Sequence, residues 1–455
     1  MRYQFQKTVR LFMLLLDIAL LVAVFFLVWT TIYSTHIPVP FFRRGNYVLY
    51  LLYAFLLTAF ILLMKGHRIG SLRVLEIQLS QSIAILLANA ALYFQISLLS
   101  YKLVSLTGFL IMTVIQLLLM AFWALLSNRL YFSLYAPQEM AFIYDNPAAL
   151  RIAEKLNTMH ERYHISAYYD ICNSCAEAEN AVLRYSGIVL AIRDASLQER
   201  FINLCYSRNI NLYVVPGLAD VVINGAKDVN AMDTPLLFFR NGRLTAEERI
   251  YKRTFDFICS LIGIALVSPV MLLTAFAIWL YDRKPVIYTQ DRLTRDGRTF
   301  RLYKFRSMVP NAEKNGACLA AENDERITPV GRFIRNARID ELPQLFNVLI
   351  GDMSLVGPRP ERPEIALEYE QTLPEFRYRL NVKAGLTGNA QVHGNYDTSS
   401  SDKLLMDLMY IENYTFLRDL SLLFQTLRII LMPEKAAGVK QTLHADNREH
   451  KTTSL

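Results

Sequence analysis

Four apolar runs occupy most of the first 126 residues and limit what this part of the chain can become. They cover about residues 11–33, 47–64, 77–99 and 103–126. Each is long enough to cross a bilayer, whose ~30 Å hydrocarbon core requires a helix of about 20 residues. Because a segment in lipid must satisfy its own backbone hydrogen bonds, the pattern predicts a four-helix transmembrane domain over residues 1–130.

Basic residues beside these runs predict the orientation. Most lie before the first run, between the second and third, and after the fourth: Arg2, Lys7, Arg10, Lys65, Arg68, Arg73 and Arg129. The positive-inside rule places them in the cytoplasm, although Arg43 and Arg44 on the opposite loop weaken the contrast. Four crossings return the chain to the cytosolic face. Asp17, inside the first run, is either functional or paired with another polar group.

Composition agrees with a membrane protein that also has soluble parts. Of the 455 residues, 53% are hydrophobic, and the formal net charge is +8. The basic residues are scattered among apolar spans, which favours anionic lipid or phosphate partners and argues against nucleic acid. Five cysteines do not make a disulfide framework in a chain this long. The C-x-x-C of Cys172 and Cys175 has no second pair beside it, so a reducing, cytosolic setting is the simpler interpretation.

Residues 131–250 alternate short apolar runs with amphipathic segments. Strands are predicted at 140–144, 165–169, 187–192 and 211–215, with helices at 148–156 and 197–207. This alternation predicts a Rossmann-like domain with a parallel sheet. No G-x-G-x-x-G follows the first strand, where the chain reads Tyr144-Asp145-Asn146-Pro147. Dinucleotide binding is therefore disfavoured, and the domain is interpreted as a structural or regulatory module.

A fifth apolar segment, residues 254–281, has basic residues at both ends: Lys252, Arg253, Arg283 and Lys284. Ser268-Pro269 interrupts its middle, and an interior proline removes a helical hydrogen bond and bends the axis. The pattern favours a re-entrant helical hairpin that enters and leaves on the cytosolic face. The alternative is a kinked full span, which would carry everything downstream to the outside.

Two adjacent carboxylates, Asp340 and Glu341, lie among basic residues: Arg335, Arg338, Arg359 and Arg362. Pro343 places a helix start near Asp340, because proline is tolerated only in the first turn. Free N–H groups and arginines there form a phosphate site. One carboxylate could attack phosphorus while the other holds a divalent cation such as Mg²⁺. The alternative is an exposed helix start that Asp340 caps, with solvated arginines.

Two further segments carry candidate ligand-binding residues. Lys304 and Arg306 are two apart in a predicted strand, so they face one side and could bind diphosphate oxygens; the alternative is a solvated basic strand. Residues 385–394 form a glycine-rich loop containing Thr387 and Gln391, which could approach a ligand closely.

Several ordered motifs resemble one family. The run from Asp340 to Glu361, D-E-L-P-Q-L-F-N-V-L-I-G-D-M-S-L-V-G-P-R-P-E, resembles the signature of the bacterial sugar transferases, the polyprenyl-phosphate sugar-1-phosphate transferases. K-R-x-x-D at 252–256, K-F-R-S-M at 304–308 and G-L-T-G-N-A-Q-V-H-G at 385–394 are similar to its other motifs. The resemblance covers about residues 252–426. It departs from the family at Asp282-Arg283-Lys284-Pro285, where S-x-G-P is common, at Thr294 in place of Gly, and at Ala384 in place of Pro.

The resemblance implies an α-rich catalytic domain over residues 251–431 with a re-entrant membrane anchor. It implies transfer of sugar-1-phosphate from a UDP-sugar to undecaprenyl phosphate at the cytosolic face of the bacterial inner membrane, with release of UMP. This reaction would start a glycan such as exopolysaccharide, capsule or O-antigen. Asp340 would form a covalent phosphosugar intermediate and Glu341 would hold Mg²⁺. The residues expected to bind the substrates are Lys304, Arg306, Arg335, Arg338, Arg359, Thr387 and Gln391.

Two other classes stay open from the sequence. One is a non-catalytic membrane scaffold for glycan assembly, and the other is a nucleotide-sugar oxidoreductase or dehydratase that uses the Rossmann-like part. The absent glycine fingerprint argues against the second. The sugar, the glycan and the ligand of the middle domain are not fixed by the sequence. A homo-oligomer is possible without a recognisable signature, and residues 432–455 are expected to form a polar tail.

Overall fold

A computed structural model describes residues 2–34, 45–159, 162–240, 242–309, 324, 326–394 and 398–432, with side chains from residue 5 onward. Several features of the sequence analysis lie outside this range: the loop charges Arg43 and Arg44, the side chain of Arg2, Cys318 and nearly all of the polar tail. The chain divides into two compact units, Met1–Ala219 and Asp220–Leu455. The finer division into three domains and a tail stays a prediction.

Four long helices begin the first unit: α1 (Arg2–Val28), α2 (Gly45–Leu63), α3 (Val74–Leu99) and α4 (Leu106–Leu134). A π-helical turn, Trp29–Tyr33, extends α1. Helix α1 packs against α2 and α4, and α3 packs against the same two neighbours. All four are long and apolar enough to cross a membrane.

A polar network joins these helices at their centre. Tyr53 donates a hydrogen bond to Asn89 at 2.8 Å, and Gln116 donates to the Tyr53 hydroxyl at 2.8 Å. The Asn89 amide donates to Gln116 at 2.9 Å, so three helices share the network. Asp17 accepts a 2.8 Å hydrogen bond from Gln81, which gives this buried carboxyl the structural partner that the sequence left open. Each of these side chains therefore makes at least one hydrogen bond inside an apolar surrounding.

A four-stranded sheet completes the first unit. Its strands are β1 (Gln138–Tyr144), β2 (Tyr163–Asp170), β3 (Gly187–Ala191) and β4 (Asn211–Val214). All neighbours are parallel, in the order β2-β1-β3-β4. Three helices connect them: α5 (Leu150–Asn157), α6 (Cys175–Arg184) and α7 (Ala195–Ser207). Alternate residues of β1 enter two separate apolar clusters, so both faces of the sheet are covered. The predicted parallel sheet is confirmed.

The second unit begins with small elements and then one very long helix. Helix α8 (Leu218–Asn224) crosses the boundary between the units, and an antiparallel hairpin, β5 (Lys227–Ala231) with β6 (Thr234–Phe238), follows. Helix α9 (Ala246–Asp282) has 37 residues. Thr245 and Glu248 form a capping box at its start, where each side chain accepts the other's backbone N–H.

Pro269, at the break predicted in the middle of this segment, lies inside α9 and does not end the helix. Proline lacks the N–H that would bond to the carbonyl oxygen of Ala265. The Ser268 hydroxyl donates to that oxygen at 2.9 Å and replaces the missing bond. The two halves of the predicted hairpin are therefore joined by continuous helix, and the bend expected at Pro269 stays a prediction. Whether this helix re-enters the same membrane face stays a prediction.

The rest of the unit is rich in helices, as expected. Its elements are β7 (Ile287–Leu293), β8 (Thr299–Phe305), α10 (Pro329–Asn336), α11 (Gln344–Ile350), β9 (Ser354–Val356), α12 (Pro363–Thr372), β10 (Gly385–Thr387), α13 (Asn389–His393), α14 (Ser400–Glu412) and α15 (Phe416–Ile430). Strands β7 and β8 form an antiparallel hairpin, and β9 pairs with β10 in parallel.

Polar contacts tie the first turns of α9 into this unit. Lys252 and Asp419 form a buried ion pair, and Asp419 also accepts a 2.6 Å hydrogen bond from Tyr410. Arg253 donates to two carbonyl oxygens near the end of α11, and Asp256 accepts from the Leu355 N–H at 3.0 Å. The K-R-x-x-D motif thus fixes α9 against α11, β9 and α15.

Candidate active site

Asp340 and Glu341 lie in a tight turn between two helices. Helix α10 ends at Asn336, and Arg338 then adopts the left-handed conformation with φ 54°. Residues Ile339–Glu341 form one turn of 3₁₀ helix, and α11 begins only at Gln344. The predicted helix start near Asp340 is therefore about one turn too early. The carboxylates gain their position from the turn and its neighbours, not from an α-helix N-terminus.

Glu341 is the anchored member of the pair. Its Oε1 lies 3.1 Å from Lys304 Nζ and 3.1 Å from Arg359 Nη2. Burial alone would raise the pKa of Glu341, but Lys304, Arg359 and Arg338 outweigh burial and hold the pKa well below its usual range. Glu341 in turn raises the pKa of Arg359. Glu341 is therefore ionised at neutral pH and has two cationic neighbours.

Asp340 has a different environment although it is the adjacent residue. Burial and the Glu341 carboxylate raise the pKa of Asp340 to about 6, while Lys304, Arg335 and Arg359 act in the opposite direction. No hydrogen bond or ion pair joins its carboxylate to another residue within the described part of the chain. Asp340 is thus ionised near neutral pH and unrestrained, which leaves its oxygens free to react.

A second layer of charged groups, not predicted from the sequence, holds Arg359. Arg379 donates to the Arg359 carbonyl oxygen at 3.1 Å and forms a buried ion pair with Asp407 at 2.7 Å. Arg292 donates to the Pro360 carbonyl at 3.0 Å. Burial, with repulsion from Arg359, lowers the pKa of Arg292 to about 10. These residues belong to segments distant in sequence, so no local pattern around the carboxylates points to them.

The predicted basic residues do not all gather at the carboxylates. Lys304 and Arg359 contact Glu341, and Arg335 and Arg338 are close enough to affect the two carboxyl pKa values. Arg306 lies beyond the end of β8 and pairs with Asp282, the last residue of α9. The expectation that Lys304 and Arg306 act together is therefore not supported by their contacts. Arg306 secures the exit of α9 in this structure.

The glycine-rich segment makes a close backbone contact instead of an open loop. A Cβ on Gly385 would lie 2.1 Å from the Gly357 nitrogen, and one on Gly388 would lie 2.1 Å from the Gly357 oxygen. The buried hydroxyl of Thr387 bonds to that of Thr426 at 2.7 Å. Gln391 donates to the Leu386 carbonyl at 3.3 Å, and its buried Oε1 has no partner among the described residues. These glycines bring the segment before Arg359 into place.

Thr294, where the family commonly has glycine, also has a structural role. Its hydroxyl donates to the Asp352 carbonyl oxygen at 2.8 Å and accepts from the Ala384 N–H at 3.3 Å. The side chain is 3% exposed. The departure from the family pattern thus adds two hydrogen bonds to the segments that precede β9 and β10 and does not contact the carboxylate pair.

The carboxylate oxygens of this turn fit a hard cation that takes most of its ligands from the substrate. Within the described residues there is no cluster of three or more acidic, His or Cys side chains that could form a metal cage. Mg²⁺ is commonly held by one or two carboxylates together with substrate phosphates and water. Asp340 and Glu341 supply that number, and in Glu341 only Oε1 is engaged by Lys304 and Arg359.

The family model for bacterial sugar transferases matches residues 247–433, the part of the chain that contains α9 and the carboxylate turn. An uncharacterised sugar transferase of Bacillus subtilis is 39% identical over 196 residues, which are 43% of this chain and 93% of that protein. The chain belongs to the bacterial sugar transferase family.

Two relatives with more specific names match a longer stretch. The UDP-N-acetylgalactosamine-undecaprenyl-phosphate N-acetylgalactosaminephosphotransferase of Aeromonas hydrophila is 38% identical over 255 residues, 55% of this chain and 60% of that protein. The undecaprenyl-phosphate galactose phosphotransferase of Salmonella typhimurium is 40% identical over 216 residues, 44% of each chain. The matched region thus spans about half the length of these relatives.

Proposed function

We propose that this protein transfers a sugar 1-phosphate from a UDP-sugar to undecaprenyl phosphate and releases UMP. The observation that carries the proposal is the difference in environment between two adjacent carboxylates. Lys304 and Arg359 bind Glu341, while Asp340 is unrestrained and has a pKa raised to about 6. A free carboxylate beside several cations suits nucleophilic attack on a diphosphate. The names of the two relatives supply the donor and acceptor classes.

In the first step a carboxylate oxygen of Asp340 attacks the phosphorus that bears the sugar. The bond from this phosphorus to the bridging oxygen breaks, and UMP leaves with that oxygen and the bond's electron pair. The product is an acyl phosphate that joins Asp340 to the sugar phosphate. Arg335 and Arg359 neutralise the charge on the phosphate oxygens as it is redistributed.

In the second step a phosphate oxygen of undecaprenyl phosphate attacks the same phosphorus. The bond to the Asp340 oxygen breaks, which restores the carboxylate and yields the lipid diphosphate sugar. Glu341, with Asp340 beside it, would hold Mg²⁺. The bound cation would neutralise charge on the donor diphosphate. Glu341 stays ionised throughout because Lys304 and Arg359 keep its pKa low.

The membrane arrangement supports access to a lipid acceptor. We propose that α1–α4 form a transmembrane bundle and that α9 re-enters the cytosolic face of the bacterial inner membrane. Both ends of α9 are ion-paired to the same compact unit, Lys252 to Asp419 and Asp282 to Arg306. A crossing helix would place the bilayer between parts of one folded unit, whereas a re-entrant helix keeps the unit on one side.

Accessibility labelling tests this path. Glu247→Cys and Lys284→Cys place a thiol at an exposed position near each end of α9. In intact cells both are expected to be protected from a membrane-impermeant maleimide, and both should react after permeabilisation. Labelling of Lys284→Cys alone before permeabilisation would indicate a crossing helix and contradict the proposal.

Enzyme assays test the reaction itself. Membranes that contain the protein are incubated with undecaprenyl phosphate, Mg²⁺ and a panel of labelled UDP-sugars, because the two relatives are named for different sugars. One sugar is expected to give labelled lipid together with UMP. Such a product would be the first lipid-linked unit of a surface glycan, such as exopolysaccharide, capsule or O-antigen.

Asp340→Asn is the decisive variant, since it keeps the size of the side chain and removes the nucleophile. It should lose both labelled lipid and the UMP released without acceptor. Asp352→Asn is the matched control, because this carboxyl lies beyond α11 and outside the pair. An Asp340→Asn protein with native activity would refute the nucleophile assignment, and a native protein inactive with every UDP-sugar would refute the reaction.

A further inference from the structure

A second basic pocket lies apart from the carboxylate turn. It has a volume of about 360 Å³ and is lined by the start of α9, the turn after β7 and the segment before β10. Six of its side chains are cationic and two are acidic: Arg243, Arg249, Lys252, Arg253, Arg295, Lys383, Asp256 and Asp296. Neither Asp340 nor Glu341 lines it.

The positive charge of this pocket is only partly neutralised. Asp296 pairs with Arg243 and Arg295, each at 3.2 Å, and Lys252 pairs with Asp419. The other three cations have no carboxylate partner among the described residues. Arg253 and Lys383 donate to backbone carbonyl oxygens, and the exposed Arg249 side chain makes no hydrogen bond or ion pair there. The pocket therefore has unused capacity for an anion.

Two further features of the lining point to a ligand. The hydroxyl of Ser354 is fully buried in the pocket wall and has no hydrogen-bond partner within the described part of the chain. Burial and the repulsion of Arg253 and Arg295 lower the pKa of Lys383. An unsatisfied buried hydroxyl and crowded cations are both costly without a bound acceptor. An anion with several oxygens would relieve both.

The position of the pocket indicates where such an anion comes from. Arg249, Lys252 and Arg253 belong to the first turns of α9 and directly precede its apolar part. The side chains that follow, including Phe257, Ile258 and Leu261, are about half exposed. Clusters of Lys and Arg beside a membrane-embedded helix are typical of contacts with anionic lipid headgroups.

We propose that this basic pocket binds a phosphate group at the membrane surface, separately from the site at Asp340 and Glu341. Phosphate oxygens would accept hydrogen bonds from the Arg249, Arg253 and Lys383 side chains and from the Ser354 hydroxyl. The same chemistry belongs to the headgroup of an anionic phospholipid and to free phosphate. Binding a lipid headgroup would hold the start of α9 at the interface.

Thermal unfolding of the full chain in neutral detergent tests the proposal, because a ligand that binds only the folded state raises the melting temperature. The protein is titrated with phosphatidylglycerol, with phosphatidylcholine, and with inorganic phosphate at constant ionic strength. A saturable rise with phosphatidylglycerol alone assigns the pocket to a lipid headgroup. A saturable rise with inorganic phosphate that competes with the lipid assigns it to phosphate from either source.

Variants locate the binding. Arg249→Gln removes an exposed cation and is expected to weaken the midpoint about fivefold, the effect of about 1 kcal/mol per basic residue near a membrane surface. Lys383→Gln, as a second variant, should do the same. Arg332→Gln removes an exposed charge that does not line the pocket, and Asp340→Asn disables the proposed reaction; both should titrate like the native protein.

Two results would overturn the proposal. One is the absence of a saturable rise with either phosphatidylglycerol or inorganic phosphate. The other is a rise that Arg249→Gln and Lys383→Gln leave unchanged, or that Arg332→Gln weakens equally. The assay requires no turnover, so its outcome is independent of the proposed transferase reaction.

Discussion

Lys304 is expected to set the pH at which Asp340 becomes a nucleophile. Its ammonium group lies 3.1 Å from Glu341 and lowers the pKa of both carboxyl groups. In Lys304→Met the side chain keeps its apolar stem and loses its charge. The pKa of Asp340, now about 6, should therefore rise. Because the ionised carboxylate attacks phosphorus, the rising limb of the pH profile should move to higher pH.

The size of this change follows from the geometry. An opposite charge within about 4–6 Å shifts a carboxyl pKa by about 1–3 units. The lower end applies here, since Lys304 directly contacts Glu341 and not Asp340. With a pKa near 7, about a tenth of Asp340 is ionised at pH 6, against about half in the native protein. The rate at pH 6 should fall about fivefold more than the rate at pH 8.

The assay is the release of UMP by rapid quench with the lipid acceptor omitted, so that only the first half-reaction is followed. The pH dependence of kcat/KM reports the free enzyme. If Lys304→Met only weakened phosphate binding, the rate would fall by the same factor at every pH, and the rising limb of the pH profile would stay where it is. Arg301→Met, an exposed cation on the same strand, is the matched control and should keep the native profile. A Lys304→Met profile that superimposes on the native one after scaling would refute this reasoning.

Three further changes test other parts of the structure. Glu341→Gln should raise the Mg²⁺ concentration required for activity by at least about tenfold, and a native Mg²⁺ titration at full activity would argue against a metal role. Gly388→Ala should destabilise the fold by about 1–3 kcal/mol in denaturant unfolding, because its Cβ would lie 2.1 Å from a backbone oxygen. Gly263→Ala is the control and should not destabilise the fold, because its Cβ would lie 3.6 Å from the nearest atom. Lys252→Met leaves the buried Asp419 carboxylate without its cation and should lower the free energy of unfolding by about 3–5 kcal/mol. The double variant Lys252→Met/Asp419→Asn should recover most of this loss. If Lys252→Met and the double variant were equally stable, the ion pair would be unimportant.

Some predictions succeeded because their causes are local. The apolar runs of the first 126 residues appear as α1–α4, since length and hydrophobicity along a continuous segment already favour a helix. The strands β1–β4 follow from their short buried runs for the same reason. Pro269 does not end α9, and the Ser268 hydroxyl bonds to the Ala265 oxygen that proline leaves without its usual donor. A proline pattern alone does not include that compensation.

The sequence by itself determined that Asp340 and Glu341 are adjacent and surrounded by arginines, because that is a property of one short segment. Only the tertiary structure decided which carboxylate is held and which is free. Lys304 and Arg359 reach Glu341 from 37 and 18 residues away, and Arg306, equally basic and close to Lys304, is drawn instead to Asp282. Charges act through distance in space, and the fold sets those distances.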